Sequence, residues 1–277
     1  MSVVKVCVLK AGNIGSAPLL ELLLDERADR NDIDVRVISS GAKLNPEQAE
    51  EIAEKVFEFK PDLVIVVSPN AALPGPSKIR EVMAKAGVPT IVITDAPGKR
   101  AKEDIEGKKQ GYIIVNADAM IGARREFLDP VEMALFNADV IKVLAITGAL
   151  SVIYREIDKV IDSIKKGVTP ELPRIIVDKE VAVEAAGFSN PYAKAKAMAA
   201  YEAASKVADL NVEGCFKVQE PERYIPIIAA AHELMRKAAL LADEARELEK
   251  SGDTVFRMPH KKSGELVSKR KLLEKPA

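Results

Sequence analysis

The chain has 277 residues, 48% of them hydrophobic, and a net charge of −1, enough to bury a sizeable core in one large domain or two moderate ones. That balance excludes a disordered chain or a polyelectrolyte and gives no support to nucleic-acid binding; the 30% of charged residues, mixed in sign, reads as solvated helix faces. No apolar run approaches the ~20 residues of a membrane span, and the segment Met1–Asn13 is too short for a signal region with its cleavage site. A cytoplasmic protein with no membrane partner is therefore expected, with Cys7 and Cys215 as free thiols in no metal-type spacing.

Val3–Leu9 is an apolar run that predicts a first, central strand, followed by a glycine turn, Lys10–Ser16, and a helix over Pro18–Leu24. Such a unit commonly holds a phosphate at the helix N-terminus. Only Gly12-x-x-Gly15 is present, however, and not the stronger G-x-G-x-x-G, so a structural turn with no ligand stays open. Ile33–Ile38 predicts the second strand. The acidic residue that holds ribose hydroxyls in an NAD-binding unit is replaced there by Ser39-Ser40-Gly41-Ala42-Lys43, which argues against NAD and leaves room for another cofactor or a phosphate at Lys43.

Asn45-Pro46 starts a helix that runs to about Phe59, with Gln48 in a capping-box position. Leu63–Val67 is the third strand, and Ser68–Pro76 is a loop stiffened by Pro69, Pro74 and Pro76. A helix over Ser77–Lys85 leads to a fourth strand, Thr90–Ile93, then to Thr94–Arg100 and a fifth strand, Tyr112–Val115. Five strands with helices between most of them argue for an α/β fold with a Rossmann-like, doubly wound parallel sheet. The loops at the strand ends carry Asn13, Asn70, Asp95 and Asp118, a pattern that suits a flat ligand, although Asn and Asp also serve simply as turn formers.

The stretch Gly111–Pro130 hands the sheet over to helix, with Asp129-Pro130 as cap and first helical position. Helix is expected over Pro130–Lys166 with a break at Gly148, from Asn190 to about Leu210, and over Arg223–Lys250. Pro170–Asp178 reads as a connection with a short extended run, Ile175–Val177. Thr254–Met258 and Glu265–Val267 read as a small hairpin. The expected organisation is an α/β domain over residues 1–149, a helical domain over 150–252 and a small C-terminal β segment over 253–277.

The usual catalytic kits are missing. His232-Glu233 begins an H-E-x-x-H motif, but position 236 is arginine, and no G-x-S-x-G or P-loop motif occurs. An enzyme of this kind leaves the chemistry to a cofactor and supplies placement.

Several long blocks, GARREFLDPVEMA (Gly122–Ala134), VLKAGNIG (Val8–Gly15), PNAALPGPSKIRE (Pro69–Glu81), NPYAKAKAMAA (Asn190–Ala200), VEGCF (Val212–Phe216), AHELMRKAALLADEARELEKS (Ala231–Ser251) and the tail SKRKLLE (Ser268–Glu274), resemble the coenzyme F420-dependent methylenetetrahydromethanopterin dehydrogenase family of archaea. The resemblance spans essentially the whole chain. It implies reversible hydride transfer between reduced coenzyme F420, a 5-deazaflavin, and methenyltetrahydromethanopterin, giving the 5,10-methylene compound, in methanogenesis and one-carbon metabolism. It also implies F420 as a dissociable co-substrate without metal, flavin or nicotinamide, and a homo-oligomer, a hexamer built as a trimer of dimers.

Because the methenyl acceptor is already a carbocation, the protein's expected task is to orient two ring systems and exclude water. Asp95 and Asp118 are the candidate carboxylates that stabilise the cation. Gly12, Asn13, Ile14, Gly15, Pro69, Asn70, Ala96, Pro97 and Lys99 are expected to contact the deazaflavin, from their strand-end positions. Met120, Arg124, Arg125 and His260 are expected at the pterin. Lys99, Arg124 and Arg125 also suit the phosphodiester and glutamate tail of F420, with ordinary surface pairing as the alternative. A nicotinamide-dependent dehydrogenase and a non-catalytic binding protein are the rival readings.

Overall fold

Side chains alternate between the two faces of a strand, so each apolar run feeds two cores at once. In the computed structural model, which describes residues 3–127 and 129–277, β1 (Val4–Lys10) turns Val4, Val6 and Val8 to one face and Cys7 and Leu9 to the other. Around it lie β2 (Ile33–Ser39), β3 (Leu63–Ser68), β4 (Thr90–Thr94), β5 (Gly111–Val115) and β6 (Arg174–Val177), in the order β2-β1-β3-β4-β5-β6 and all parallel. The doubly wound sheet expected from the sequence is present, and all six carboxyl ends share one edge.

The second core is closed by α2 (Pro46–Phe59), α3 (Pro74–Ala86) and α4 (Lys102–Gly107), through Ile52, Val56, Ile79, Met83 and Ile105. The first is closed by α1 (Ser16–Leu23), α5 (Pro130–Thr147) and α6 (Ala149–Lys165), through Leu20, Val140, Leu144, Ile153 and Ile157. Behind these pack α7 (Lys179–Ala186), α8 (Pro191–Ser205), α9 (Val207–Val212) and α10 (Pro221–Ser251). The alanine-rich α8 is core: Ala193, Ala197, Ala200 and Ala204 are buried one turn apart, facing the buried alanines of α10. The caps foreseen at Asn45, Asp129 and Asn190 form, each side chain accepting from backbone N–H groups of the first turn. Gly148 breaks the predicted long helix into α5 and α6, which meet at 69°.

Two expectations change. The sheet has six strands and not five, because Arg174–Val177 adds to β5. Proline cannot donate to a ladder, but Pro173 precedes the strand and its carbonyl accepts from the Tyr112 amide at 2.7 Å, so an edge strand forms beside it. Val177 joins the first core, so the sheet's packing continues past residue 149. The C-terminal hairpin is not a pair of strands. It reduces to isolated antiparallel bridges, Arg257–Lys269 and His260–Leu266, where Pro259 has no N–H to continue a ladder. Among the described residues no single helix is long and apolar enough to cross a membrane.

Candidate functional site

The strand order reverses between β1 and β3, and a crevice at the carboxyl ends is the binding position in open sheets of this kind. The loops after β1 and β3 meet there. The Ala11 amide donates to the Val67 carbonyl at 2.9 Å, and a Cβ on Gly12, whose φ is +85°, would lie 2.8 Å from both Leu44 Cδ2 and Pro69 Cδ. Glycine at this position therefore serves the close packing of two loops.

The helix N-terminus that the glycine turn advertises is already occupied. Asp118, fully buried on the β5 loop, accepts from the amides of Gly15 at 2.5 Å and Ser16 at 3.1 Å, although β3 and β4 separate β5 from β1 in the sheet. The anion at the start of α1 is thus this chain's own carboxylate, and Gly15 and Ser16 do not present free amides to a phosphate. Burial pushes the Asp118 carboxyl up to about 6, against the hydrogen bonds from Ser16 and Gly15 that pull it down. Asp118 is a positioning group beneath the surface of the site.

Asp95 lies at the end of β4, 2% exposed, with Oδ1 buried and unpartnered. Burial pushes it well above the ordinary carboxylate range; the Ala96 amide opposes this and the Asp118 charge adds to it. Two buried carboxyls under one crevice, with their charged forms disfavoured, form the main electrostatic feature of this edge.

The predicted residues separate into two layers. Asn13, Asn70, Ala96, Pro97, Met120 and Arg124 are half-buried, and Lys99 and Arg125 are exposed, all on the loops at the carboxyl edge. Gly12, Ile14, Gly15, Pro69, Asp95 and Asp118 are buried below them. Ile14 belongs to the first core and is closed off from a ligand in this arrangement. Asn13 Nδ2 donates to Asn137 Oδ1 at 3.0 Å, tying the glycine turn to α5. Arg124 stacks its guanidinium 3.8 Å over the Tyr224 ring and donates to the Val218 carbonyl at 3.2 Å, so its charge is held against α10.

His260 does not join them. It sits at the opposite edge, its ring nitrogens 2.7 Å from Glu26 Oε1 and Asp158 Oδ2, next to Arg30 and Asp32 at the start of β2. A cavity of about 870 Å³ lined by Lys109, Gln110, Lys159 and Arg174 also lies at that amino edge, away from the crevice.

Several supporting residues have no local signature. Arg80, 1% exposed, donates to the Ala71 carbonyl at 3.0 Å and pairs with Asp104, fixing the proline-rich loop after β3. Asn211 donates to the Met120 carbonyl at 2.6 Å, and His232 bonds the Gly122 carbonyl at 3.0 Å. The one available cue was the scarcity of histidine: with two in the chain, a histidine outside any metal motif invites a search for a hydrogen-bonding role. Among the described residues no group of three or more His, Cys, Asp or Glu side chains is placed to hold a metal ion. The arrangement is a proline-walled crest over two buried carboxyls.

Comparison with known proteins gives a consistent result. Residues 4–277 match the family profile of methylene-5,6,7,8-tetrahydromethanopterin dehydrogenase. The chain is 65% identical over 274 residues to the F420-dependent methylenetetrahydromethanopterin dehydrogenase of Archaeoglobus fulgidus and 59% identical to that of Methanothermobacter thermautotrophicus, covering 99% of each chain. It superposes with a TM-score of 0.96, at 50% identity and full coverage of both chains, on a solved F420-dependent methylenetetrahydromethanopterin dehydrogenase in complex with methylenetetrahydromethanopterin and coenzyme F420.

Proposed function

The chain belongs to the methylene-5,6,7,8-tetrahydromethanopterin dehydrogenase family, and from that premise we infer that it catalyses reversible hydride transfer between reduced coenzyme F420 and methenyltetrahydromethanopterin, giving the 5,10-methylene compound, in methanogenesis and one-carbon metabolism. The observation that carries this is the shared backbone over the full chain with a relative that holds both molecules at once. F420 is a co-substrate that carries the hydride and leaves after each turnover.

The protein's own contribution is placement. Asn13, Asn70, Ala96, Pro97 and Lys99 face the deazaflavin, and Met120, Arg124 and Arg125 face the pterin. Orientation of this kind supplies several kcal/mol of a barrier. Asp118 acts one layer down, holding the glycine turn in register. Asp95, the carboxyl with an unpartnered oxygen, is the group nearest to the required electrostatic role toward the methenyl cation. His260, bound to Glu26 and Asp158 at the other edge, fastens the tail and stands apart from the pterin site.

We further propose a homo-oligomer, a hexamer built as a trimer of dimers, acting in the cytoplasm. Val131 and Leu135 on α5 stand 65% and 56% exposed one turn apart, an apolar face that suits burial against another copy. Cys7 and Cys215 are free thiols, consistent with a reducing compartment.

The test is an absorbance assay at the deazaflavin band. Oxidised F420 is mixed with methylenetetrahydromethanopterin and enzyme, with NAD and NADP run in parallel. Loss of deazaflavin absorbance that requires the pterin, with no nicotinamide reduction, is the expected result. No turnover by folded, oligomeric protein contradicts the reading.

A further inference from the structure

The loop that carries Met120, Arg124 and Arg125 is fastened to the helices behind it at three points. Asn211 holds the Met120 carbonyl, His232 the Gly122 carbonyl, and the Val218 carbonyl and Tyr224 ring hold Arg124. The middle point is the tightest. A Cβ on Gly122 would stand 2.2 Å from Asn211 Oδ1 and 3.2 Å from Ile228 Cγ2, so only glycine lets the loop lie this close to α9 and α10.

His232, 5% exposed, is the distinctive member. Its Nε2 is 3.0 Å from the Gly122 carbonyl and its Nδ1 is 3.0 Å from Glu132 Oε1 on the first turn of α5. A carbonyl has no proton to give, and an ionised carboxylate has none either. Neutral imidazole has a single N–H and makes only one of these bonds; the imidazolium makes both. The ring packs between Phe136, centroids 4.5 Å apart, and the edge of Phe127 at 4.9 Å, so water does not replace a lost partner freely.

Glu132 on α5 is the ionisable group in contact with the ring. Arg236 and Glu233 lie along α10, Asp139 two turns along α5, and Arg125 and Glu126 beside Phe127 in the loop.

We propose that His232, as the imidazolium bridging Gly122 and Glu132, is a positioning residue for hydride transfer: it fixes the β5–α5 loop over the carboxyl edge and links pterin binding to its own protonation. The proposal rests on the reading that this loop faces the pterin. With a single N–H on the ring one of the two bonds is lost, and the loop is freed from either α10 or α5.

The experiment compares wild type, His232→Gln and Glu132→Gln, with thermal unfolding to confirm folding. It measures KM and kcat for methylenetetrahydromethanopterin and F420 from about pH 5.5 to about 8.5, and amide hydrogen exchange over residues 120–127 in the substrate-free protein. In wild type the pterin KM rises with pH. His232→Gln raises that KM roughly tenfold at the acid end with a much smaller change in kcat, speeds exchange in the loop, and abolishes the pH dependence. Glu132→Gln also flattens the pH profile, because an amide at that position serves either protonation state of the ring.

Unchanged loop exchange in His232→Gln overturns the anchoring itself. Faster exchange with both KM values unchanged overturns the positioning role and shows that the pterin site lies elsewhere. If His232→Gln does not fold, a Glu132→Gln profile with wild-type pH dependence overturns the proposal.

Discussion

The two edges of the sheet handle charge in opposite ways. At the amino edge, Arg30 forks onto Asp32 at 2.9 and 3.0 Å and reaches Asp158 at 2.9 Å; Lys165 meets Asp32 at 3.0 Å; and His260 bridges Asp158 and Glu26. Three cations meet three carboxylates, and the charged forms win. Burial works against the Asp32 charge and against the His260 charge, but Arg30 and Lys165 bring Asp32 below the ordinary range, and the Asp158 and Glu26 carboxylates hold His260 above its own. At the carboxyl edge, Asp95 and Asp118 are buried with backbone amides as partners, and burial raises both. One edge is a closed fastening for the C-terminal tail. The other holds its two buried carboxyls with backbone amides alone, and Asp95 Oδ1 there has no hydrogen-bond partner.

The largest expected effect breaks the fastening. Arg30→Ala strands the buried Asp32 and partly buried Asp158 charges and lowers unfolding stability by roughly 3–5 kcal/mol. Activity of the fraction that stays folded changes little. Equilibrium denaturation paired with kcat tests this, and a large kcat loss in folded protein erases the division of labour between the edges.

Next is Asp118→Ala, which leaves the Gly15 and Ser16 amides unpaired at about 1–3 kcal/mol for each buried donor, partly offset by removal of a buried charge. Here kcat/KM falls at least as steeply as stability. Asp118→Asn keeps an acceptor and restores most of both. Equal stability loss with intact kinetics makes Asp118 purely structural.

Both edges lose stability as pH rises, but through groups of opposite charge type and in different pH windows. Asp118 is raised from 3.8 to about 6, so the native state binds its proton more tightly than the unfolded chain does. Its contribution therefore favours folding at low pH and declines as pH rises from about 4 to about 6, by on the order of 3 kcal/mol. Asp118→Asn removes that slope. His260 is raised as well, but it is a base that gains charge on protonation. Its stabilisation is complete below the unfolded value and disappears as pH rises through the folded one, and His260→Gln removes that loss. Denaturation midpoints across pH for the two variants separate the windows; the same window for both merges the edges into one system. Smallest in stability is Arg125→Ala, an exposed site where the change stays within about 0.5 kcal/mol. An increase in pterin KM there is the kinetic sign that the loop faces the pterin.

What the sequence made legible was local. Apolar runs marked five strands, and Asn45, Asp129 and Asn190 marked helix starts because a cap acts on its own next turn. Gly148 marked a break. The hairpin expectation fails at Pro259, and β6 is legible only as a short extended run, Ile175–Val177, because four residues carry too little periodicity to show that they pair with β5. The pairings that give the site its character join distant segments: Asp118 with Gly15, His232 with Glu132 and Gly122, Arg30 with Asp158. No spacing rule connects residues 100 or more positions apart, so Asp118 is legible as a strand-end carboxylate but not as the cap of the first helix, and His260 is legible only as a histidine near the tail.

The central claim is that both substrates sit on the carboxyl edge. Amide hydrogen exchange with and without F420 and methylenetetrahydromethanopterin tests it directly. The account predicts protection at residues 11–16, 69–73, 95–99 and 116–125, with residues 26–32 and 258–267 unchanged. Protection concentrated at the Arg30–His260 edge contradicts it.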